Sequence, residues 1–290
     1  EDVPLEDVKR FYDAAREQGF IAAALTGGEP FLRKDIGEIV RHVKVEKRMS
    51  ILLFTTGWFL EKRMDEVLPH LDMLILSLDS ANAGRHDKIR GLKGLHEKML
   101  RSARVVRQRY PQLKVHFNCC IQKGVEDEID DLVRLAEDVD IGISFDVITE
   151  QRNGAAGGAF TETDAGMPLA TLRQVCAYLL FRKRAGAPIL NSENYFAYFA
   201  NGRNGYRCHT PKVLLCVDGR GNVEDCLDLT KPIANIREMP LGEIMALPRF
   251  KQLRADAERC SSCNSPTMID ASHAWENPRL VFARGGIELA

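Results

Sequence analysis

Over the first 150 residues, short apolar runs alternate with hydrophobic stripes of helical period, and few folds accommodate that alternation. Pro4, Glu6 and Asp7 read as a helix start, with proline in the first turn and acids at the positive end of the dipole. Leu5, Val8, Tyr12 and Ala15 continue it at helical spacing. Residues 21–26 form an apolar run closed by Gly27-Gly28, after which Ile36, Ile39, Val40 and Val43 restore the stripe. Three more runs, 50–55, 73–78 and 114–121, each precede a helical pattern, and a fifth occupies 141–148. Such runs read as strands buried on both faces, and their alternation with helices implies an α/β fold with a parallel sheet and right-handed crossovers. An open doubly wound sheet and a closed or partial barrel both satisfy the pattern. Either places function at the C-terminal ends of the strands.

From 151 to 168 the period disappears into Asn153-Gly-Ala-Ala-Gly-Gly-Ala, the signature of a connection or lid. The expected domains are therefore 1–150, a linking and helical segment 151–205, and a small domain 206–290. Residues 171–185 read as an amphipathic helix and 195–199 as part of a second. Residues 213–217 and 222–225, joined by Asp218-Gly-Arg-Gly221, read as a hairpin, and 241–247 as a short helix closed by Pro248. Forty basic residues against forty-one acidic ones leave a net charge of −1, which argues against nucleic acid or an anionic membrane as partner. No run approaches the roughly 18 apolar residues of a membrane span. The chain opens Glu-Asp-Val-Pro-Leu, with no signal peptide to read, and an incomplete N-terminus is expected.

The eight cysteines divide by neighbourhood. Cys119, Cys120 and Cys176 lie in apolar segments and read as small buried hydrophobes. Cys208 and Cys226 flank the expected hairpin, and Cys260-x-x-Cys263 lies in a polar turn. A Cys-x-x-Cys turn aims two sulfurs at one point and a hairpin can aim two more, a donor set suited to zinc or to an iron–sulfur cluster. Cys216, inside the strand run, reads as packing. At the other end of the chain, polar groups recur at three successive strand exits: Thr26-Gly27-Gly28-Glu29-Pro30, Phe54-Thr-Thr-Gly57 and Leu76-Ser-Leu-Asp79, with His86-Asp-Lys-Ile-Arg-Gly91 following. Glycines there admit a ligand close to the backbone, proline stiffens the turn, and a carboxylate accepts charge-assisted hydrogen bonds.

Gly27-Gly28-Glu29-Pro30, Thr56-Gly57, Ser77-Leu78-Asp79 and His86-Asp87-x-x-Arg90-Gly91, in that order and spacing, resemble the radical S-adenosylmethionine (SAM) superfamily. The resemblance implies a partial (β/α)6 TIM-type barrel that lacks its first strand here. It implies that Glu29, with Gly27, Gly28 and Pro30, holds the amino end of the methionine moiety. Ser77 and Asp79 are then expected near the ribose or carboxylate, Arg90 as a carboxylate partner, and Asn118 reaching the cofactor from the next strand. Thr56 stands where the family more often has asparagine. The C-terminal part resembles the auxiliary-cluster extension called SPASM in its long form and Twitch in its short one, through Cys208, Gly221, Cys226 and Cys260-x-x-Cys263. No cysteine follows Cys263, which fits the short form with one auxiliary 4Fe-4S cluster on Cys208, Cys226, Cys260 and Cys263.

The superfamily's Cys-x-x-x-Cys-x-x-Cys is not in this chain. It is expected upstream of Glu1 with a second 4Fe-4S cluster, and the chain as given is expected to lack SAM-cleaving activity. The implied function is reductive cleavage of SAM to a 5′-deoxyadenosyl radical that takes hydrogen from an unactivated carbon. Net oxidation through the auxiliary cluster is open to it, cluster potentials spanning roughly −700 to +450 mV. A small-molecule, lipid or peptide substrate, an electron donor such as flavodoxin or ferredoxin, and the cytoplasm follow from the same resemblance. Asp146, Glu150, Arg152 and His209 are candidate substrate groups, and Tyr195, Phe196, Tyr198 and Phe199 line either a pocket or a packed face. The rival readings are a non-catalytic SAM-binding scaffold and a zinc-stapled α/β enzyme with another nucleotide ligand.

Overall fold

The structure, a computed structural model, describes residues 2–148, 166–224, 232–261 and 263–281. The chain divides into two compact units, one built chiefly of residues 1–119 and 127–144, the other of 120–126 and 145–289. In chain order the first half runs α1 (Leu5–Glu17), β1 (Ala22–Leu25), α2 (Ile36–Arg41), β2 (Ser50–Thr55), α3 (Leu60–Val67), β3 (Met73–Ser77), α4 (Ala83–Arg90), α5 (Leu95–Arg109), β4 (Lys114–Ile121), α6 (Ile129–Val139) and β5 (Gly142–Val147). Among the described residues these strands form one five-stranded sheet in the order β1-β2-β3-β4-β5. The first four pair in parallel, with Leu25 opposite Leu53, Leu53 opposite Leu74 and Ser77 opposite Asn118. A doubly wound sheet reverses its strand order at a switch point. This one does not, which selects the partial barrel over the open sheet.

The two faces of the sheet differ. Ile51, Leu53, Leu74, Leu76, Phe117, Cys119, Ile143 and Phe145 are fully buried on the helix-covered face. The alternate set, Leu52, Phe54, Ser77, Asn118 and Ser144, is only half-buried. The expected two-sided burial therefore holds for β3, whose residues 73–76 are all buried, and fails for β1 and β2. On this inner face the apolar runs line the concavity of a partial barrel instead of packing under helices.

The second half runs α7 (Leu169–Arg184), α8 (Glu193–Ala200), α9 (Thr210–Val213), β6 (Cys216–Val217), β7 (Asn222–Glu224), β8 (Pro232–Asn235), α10 (Leu241–Ala246), α11 (Pro248–Ala257) and α12 (Pro266–Glu276). β6, β7 and β8 form a small antiparallel sheet. Asp218 shapes the β6–β7 turn by accepting from the amides of Arg220 and Asn222 at 2.9 and 2.8 Å, with Gly221 at φ +89°. The expected strand at 213–217 begins only at Cys216, because Thr210-Pro211 start a helical turn first. Pro248, expected as a stop, opens α11 instead, a position where the missing proline N–H costs nothing. The anticipated helix at 195–199 is α8, capped by the Ser192 hydroxyl accepting from the Tyr195 amide at 3.0 Å.

Two predictions follow from this framework. Gly57 has φ +85°, and a Cβ there would lie 3.0 Å from Met99 Cγ, so Gly57→Ala is expected to destabilise the fold by about 1–3 kcal/mol in urea unfolding. Burial alone pushes the His116 imidazole from its ordinary 6.5 down to about 4, so the folded state holds it neutral. That contribution is complete above pH 6.5 and drains away as the pH falls toward 4, by about 3 kcal/mol in all. His116→Leu should flatten the acid limb of the stability curve in that window, and an unchanged limb contradicts the assignment.

Candidate functional site

The loop after β1 is held by a carboxylate. Glu29 Oε1 accepts from the Phe31 amide at 3.2 Å and the Thr55 hydroxyl at 2.7 Å. Its Oε2 accepts from the Thr56 amide at 2.9 Å and from the Thr56 hydroxyl. An ionised carboxylate offers about four lone-pair sites, and these four donors take them, so Glu29 clamps its own loop to the exit of β2. Thr56 thus acts on Glu29 with both its amide and its hydroxyl, and Pro30 opens the short 3-10 turn that Glu29 caps. What the clamp leaves facing outward is Gly27-Gly28. Gly27 has φ +115°, and a Cβ built on either glycine meets nothing within 4 Å.

At the next exit Ser77 and Asn118 stand side by side on β3 and β4, both half-buried. Asp79 is buried and its Oδ2 forms an ion pair with Arg90 Nε at 2.6 Å, so the two residues assigned separately from the sequence meet each other. The rest of His86-Asp87-x-x-Arg90-Gly91 locks the same corner. His86 Nδ1 accepts from the Asp79 amide at 3.2 Å, which places the proton on Nε2, and burial pushes this imidazole down to about 4. Asp87 accepts from the amides of Gly94 and His96 at 2.5 and 3.0 Å, and Gly91 closes α4 in the left-handed region. Two features escaped the sequence reading. Glu128, just before α6, accepts from the Ser80 hydroxyl and the Ala81 amide and pairs with Arg85. Trp58, beside Gly57, carries the Lys98 ammonium 4.0 Å above its ring. An aromatic directly after a strand-exit glycine was the available signal for the second.

In the other unit the Cys208 amide donates to the Cys260 carbonyl at 3.0 Å, and the Cys263 amide donates to the Tyr198 hydroxyl at 3.2 Å. The Tyr206 hydroxyl lies 3.5 Å from the Ser272 hydroxyl. Burial first, then the neighbouring Cys263 and Cys208, hold that phenol well above its usual range. Cys226 lies outside the described residues. Among those described, no three His, Cys, Asp or Glu side chains stand close enough to share one ion. Around a single zinc the sulfurs crowd one centre at about 2.3 Å, whereas in a cluster each thiolate binds its own iron and the sulfurs stand further apart. Buried polar atoms without a protein partner gather along the same segments: His209 Nδ1, Thr210 Oγ1, Asn264 Oδ1 and His273 Nε2. The Thr210 hydroxyl and a His273 Nε2–H are donors, which suits a group presenting sulfur acceptors. By donor chemistry, Cys208, Cys260 and Cys263 are thiolates of the kind an iron–sulfur cluster takes, and the Cys208–Cys260 main-chain bond brings two of their segments together.

The other singled-out residues divide clearly. Cys119 and Cys176 are fully buried, and burial pushes the Cys176 thiol up to about 12. Cys120 and Cys216 are half-buried. His209 is fastened through Nε2 to Glu276 at 3.0 Å and through its amide to Ser272 at 2.9 Å. Tyr195, Phe196, Tyr198 and Phe199 form a buried cluster with edge-on rings, a packed face. Tyr195 Oη also accepts from the Val147 amide at 2.8 Å and donates to the Asn264 carbonyl at 3.0 Å, while Asn264 Nδ2 donates to the Ile148 carbonyl at 3.0 Å. Asp146 is on β5 and half-buried, and Glu150 and Arg152 lie outside the described residues.

Comparison with known proteins agrees with this geometry. The Radical SAM superfamily profile matches residues 1–136, and the SPASM iron–sulfur cluster-binding domain matches residues 208–264. The AdoMet-dependent heme synthase of Methanosarcina barkeri is 25% identical over 284 residues, 90% of this chain and 79% of that protein. The probable GTP 3′,8-cyclase of Pyrococcus horikoshii is 33% identical over 138 residues, 46% of this chain and 43% of that protein. The match thus spans less than half of the cyclase. In fold, the crystal structure of Streptococcus suis SuiB bound to precursor peptide SuiA is similar with a TM-score of 0.70 at 16% identity, over 87% of this chain and 60% of that one. The chain thus carries a radical SAM superfamily domain over residues 1–136 and a SPASM iron–sulfur cluster-binding domain over residues 208–264.

Proposed function

We propose that the barrel rim binds SAM, that Cys208, Cys226, Cys260 and Cys263 hold one auxiliary 4Fe-4S cluster, and that the protein modifies a small-molecule, lipid or peptide substrate at an unactivated carbon. A second 4Fe-4S cluster belongs, in this reading, to a Cys-x-x-x-Cys-x-x-Cys segment preceding Glu1. The observation that carries the proposal is the open Gly27-Gly28 backbone held in place by a fully occupied Glu29. Bound SAM and its clusters supply hydrogen-atom abstraction, with the auxiliary centre available to take an electron from the substrate.

The residues of this chain supply position. Glu29 and Pro30 fix the glycine loop, and Gly27-Gly28 let the amino end of a methionine moiety approach the main chain. Ser77 and Asn118, adjacent in register, address the ribose or carboxylate. Arg90 reaches the same end from its pair with Asp79. Thr56 acts through Glu29. The heme synthase similarity supports the reading because it runs through both domains. Oxygen-sensitive clusters call for a reducing compartment, the cytoplasm, and for an electron donor of the flavodoxin or ferredoxin class. Among the described residues no helix is long and apolar enough to cross a membrane.

Three measurements test this. Anaerobic reconstitution of this chain should give about four iron and four sulfide per molecule, and one zinc with no sulfide defeats the cluster assignment. Gly28→Val, in protein carrying its upstream segment, should keep its melting temperature while weakening SAM binding at least about tenfold in calorimetry, roughly 1.4 kcal/mol. Unchanged affinity moves the cofactor elsewhere. Reading the coding DNA upstream of Glu1 should reveal three cysteines at the superfamily spacing, and their absence favours the non-catalytic scaffold.

A further inference from the structure

The loop that follows Glu29 is gripped a second time, at its far end. Its 3-10 turn uses the Glu29 and Pro30 carbonyls internally, on the amides of Leu32 and Arg33 at 3.0 Å each. The carbonyls beyond them turn to Arg63 on α3. Arg63 Nη1 donates to the Phe31 and Arg33 carbonyls at 2.8 and 2.6 Å, and Nη2 donates to the Lys34 carbonyl at 2.8 Å. The remaining two protons, on Nε and Nη2, go to the Glu66 carboxylate at 3.0 and 2.7 Å. A guanidinium carries five N–H donors in a rigid fork, and all of them are taken. No donor is left over for a ligand, so this cation acts on the main chain. Glu66 in turn lies against Gly37 of α2, where a Cβ would come 2.5 Å from its Oε1, so only glycine leaves room for that carboxylate.

Because α3 follows β2 directly, Glu29 at the start of the loop and Arg63 at its end both fasten it to the same β2–α3 unit. Gly27, at φ +115°, has no side chain to hold it, so the place of Gly27-Gly28 is inherited from the segment that follows. We propose that Arg63 is a positioning residue for SAM: by holding residues 31–34 it sets where the Gly27-Gly28 backbone meets the methionine moiety. This rests on the reading of that loop as the SAM site. A lysine keeps the charge, but its single ammonium cannot serve three carbonyls and a carboxylate in one plane.

The test is a double-mutant cycle on SAM affinity, measured by calorimetry in protein carrying its upstream segment. Arg63→Lys should weaken SAM binding about fivefold on its own and by much less in the Gly28→Val background, where the loop it positions no longer seats the cofactor. A role in stability alone would lower the urea midpoint and weaken binding equally in both backgrounds, or in neither, and each of those results overturns the proposal. If Arg63→Lys does not fold, Gly37→Ala replaces it in the cycle, its Cβ pushing Glu66 off the guanidinium. There too a non-additive loss of affinity supports the proposal, and an additive or absent one overturns it. Gly28→Val protein that binds SAM as tightly as the unsubstituted protein overturns the SAM assignment of the loop itself, a different failure from an additive cycle.

Discussion

The bond set of Glu29 is the constraint on which the rim depends. One carboxylate gathers donors from its own turn and from the end of the neighbouring strand, and it is saturated by them. Because those donors belong to Phe31, Thr55 and Thr56, the exits of β1 and β2 are fixed relative to each other before any ligand arrives. Related joints lie one strand on, where Asp79 pairs with Arg90 and its amide donates to His86 Nδ1, and where Glu128 accepts from Ser80 and pairs with Arg85. Partly buried acids that accept several hydrogen bonds form rigid joints. The rim is therefore preorganised by acids used structurally, with glycine left as the surface a ligand meets.

Much of this was legible in the sequence, and the rest failed for identifiable reasons. Alternating periods gave the five strands and the helices α1, α2, α3, α5 and α6, since each apolar run is long enough to be a strand and too short to be a helix, but they missed α4, which buries only His86 and so carries no apolar stripe. Strand order was not legible, because hydrophobicity does not record which neighbour a strand chooses. Nor was one-sided burial: Leu52 and Phe54 are as apolar as Leu53, yet face the barrel's concavity. Pro248 misled because proline marks both ends and beginnings of helices, and only the following residues distinguish them. The His86-to-Gly91 motif identified the family without disclosing its work, which is to lock the β3–α4 corner through bonds to residues distant in sequence.

The C-terminal unit shows the same division. Cys260-x-x-Cys263 is visible by spacing alone, whereas the tyrosines that serve it look like ordinary core aromatics. Tyr198 and Tyr195 each spend a ring on packing and a hydroxyl on a specific partner, Tyr198 at the proposed ligand Cys263. Tyr195 and Asn264 also join the main chain after Cys263 to the end of β5, so the cysteine turn and that strand end form one hydrogen-bonded body.

The burial of Cys260 and Cys263, 5% and 6% exposed, bears on how such a protein is made. Thiols this buried are poorly placed to capture inorganic material from solution once the chain has settled. Under the proposed cluster assignment, iron delivery precedes the final packing of this corner or waits for it to open locally. On that assignment maturation becomes a matter of timing, and the same wall that slows installation of the proposed centre would keep dioxygen from it.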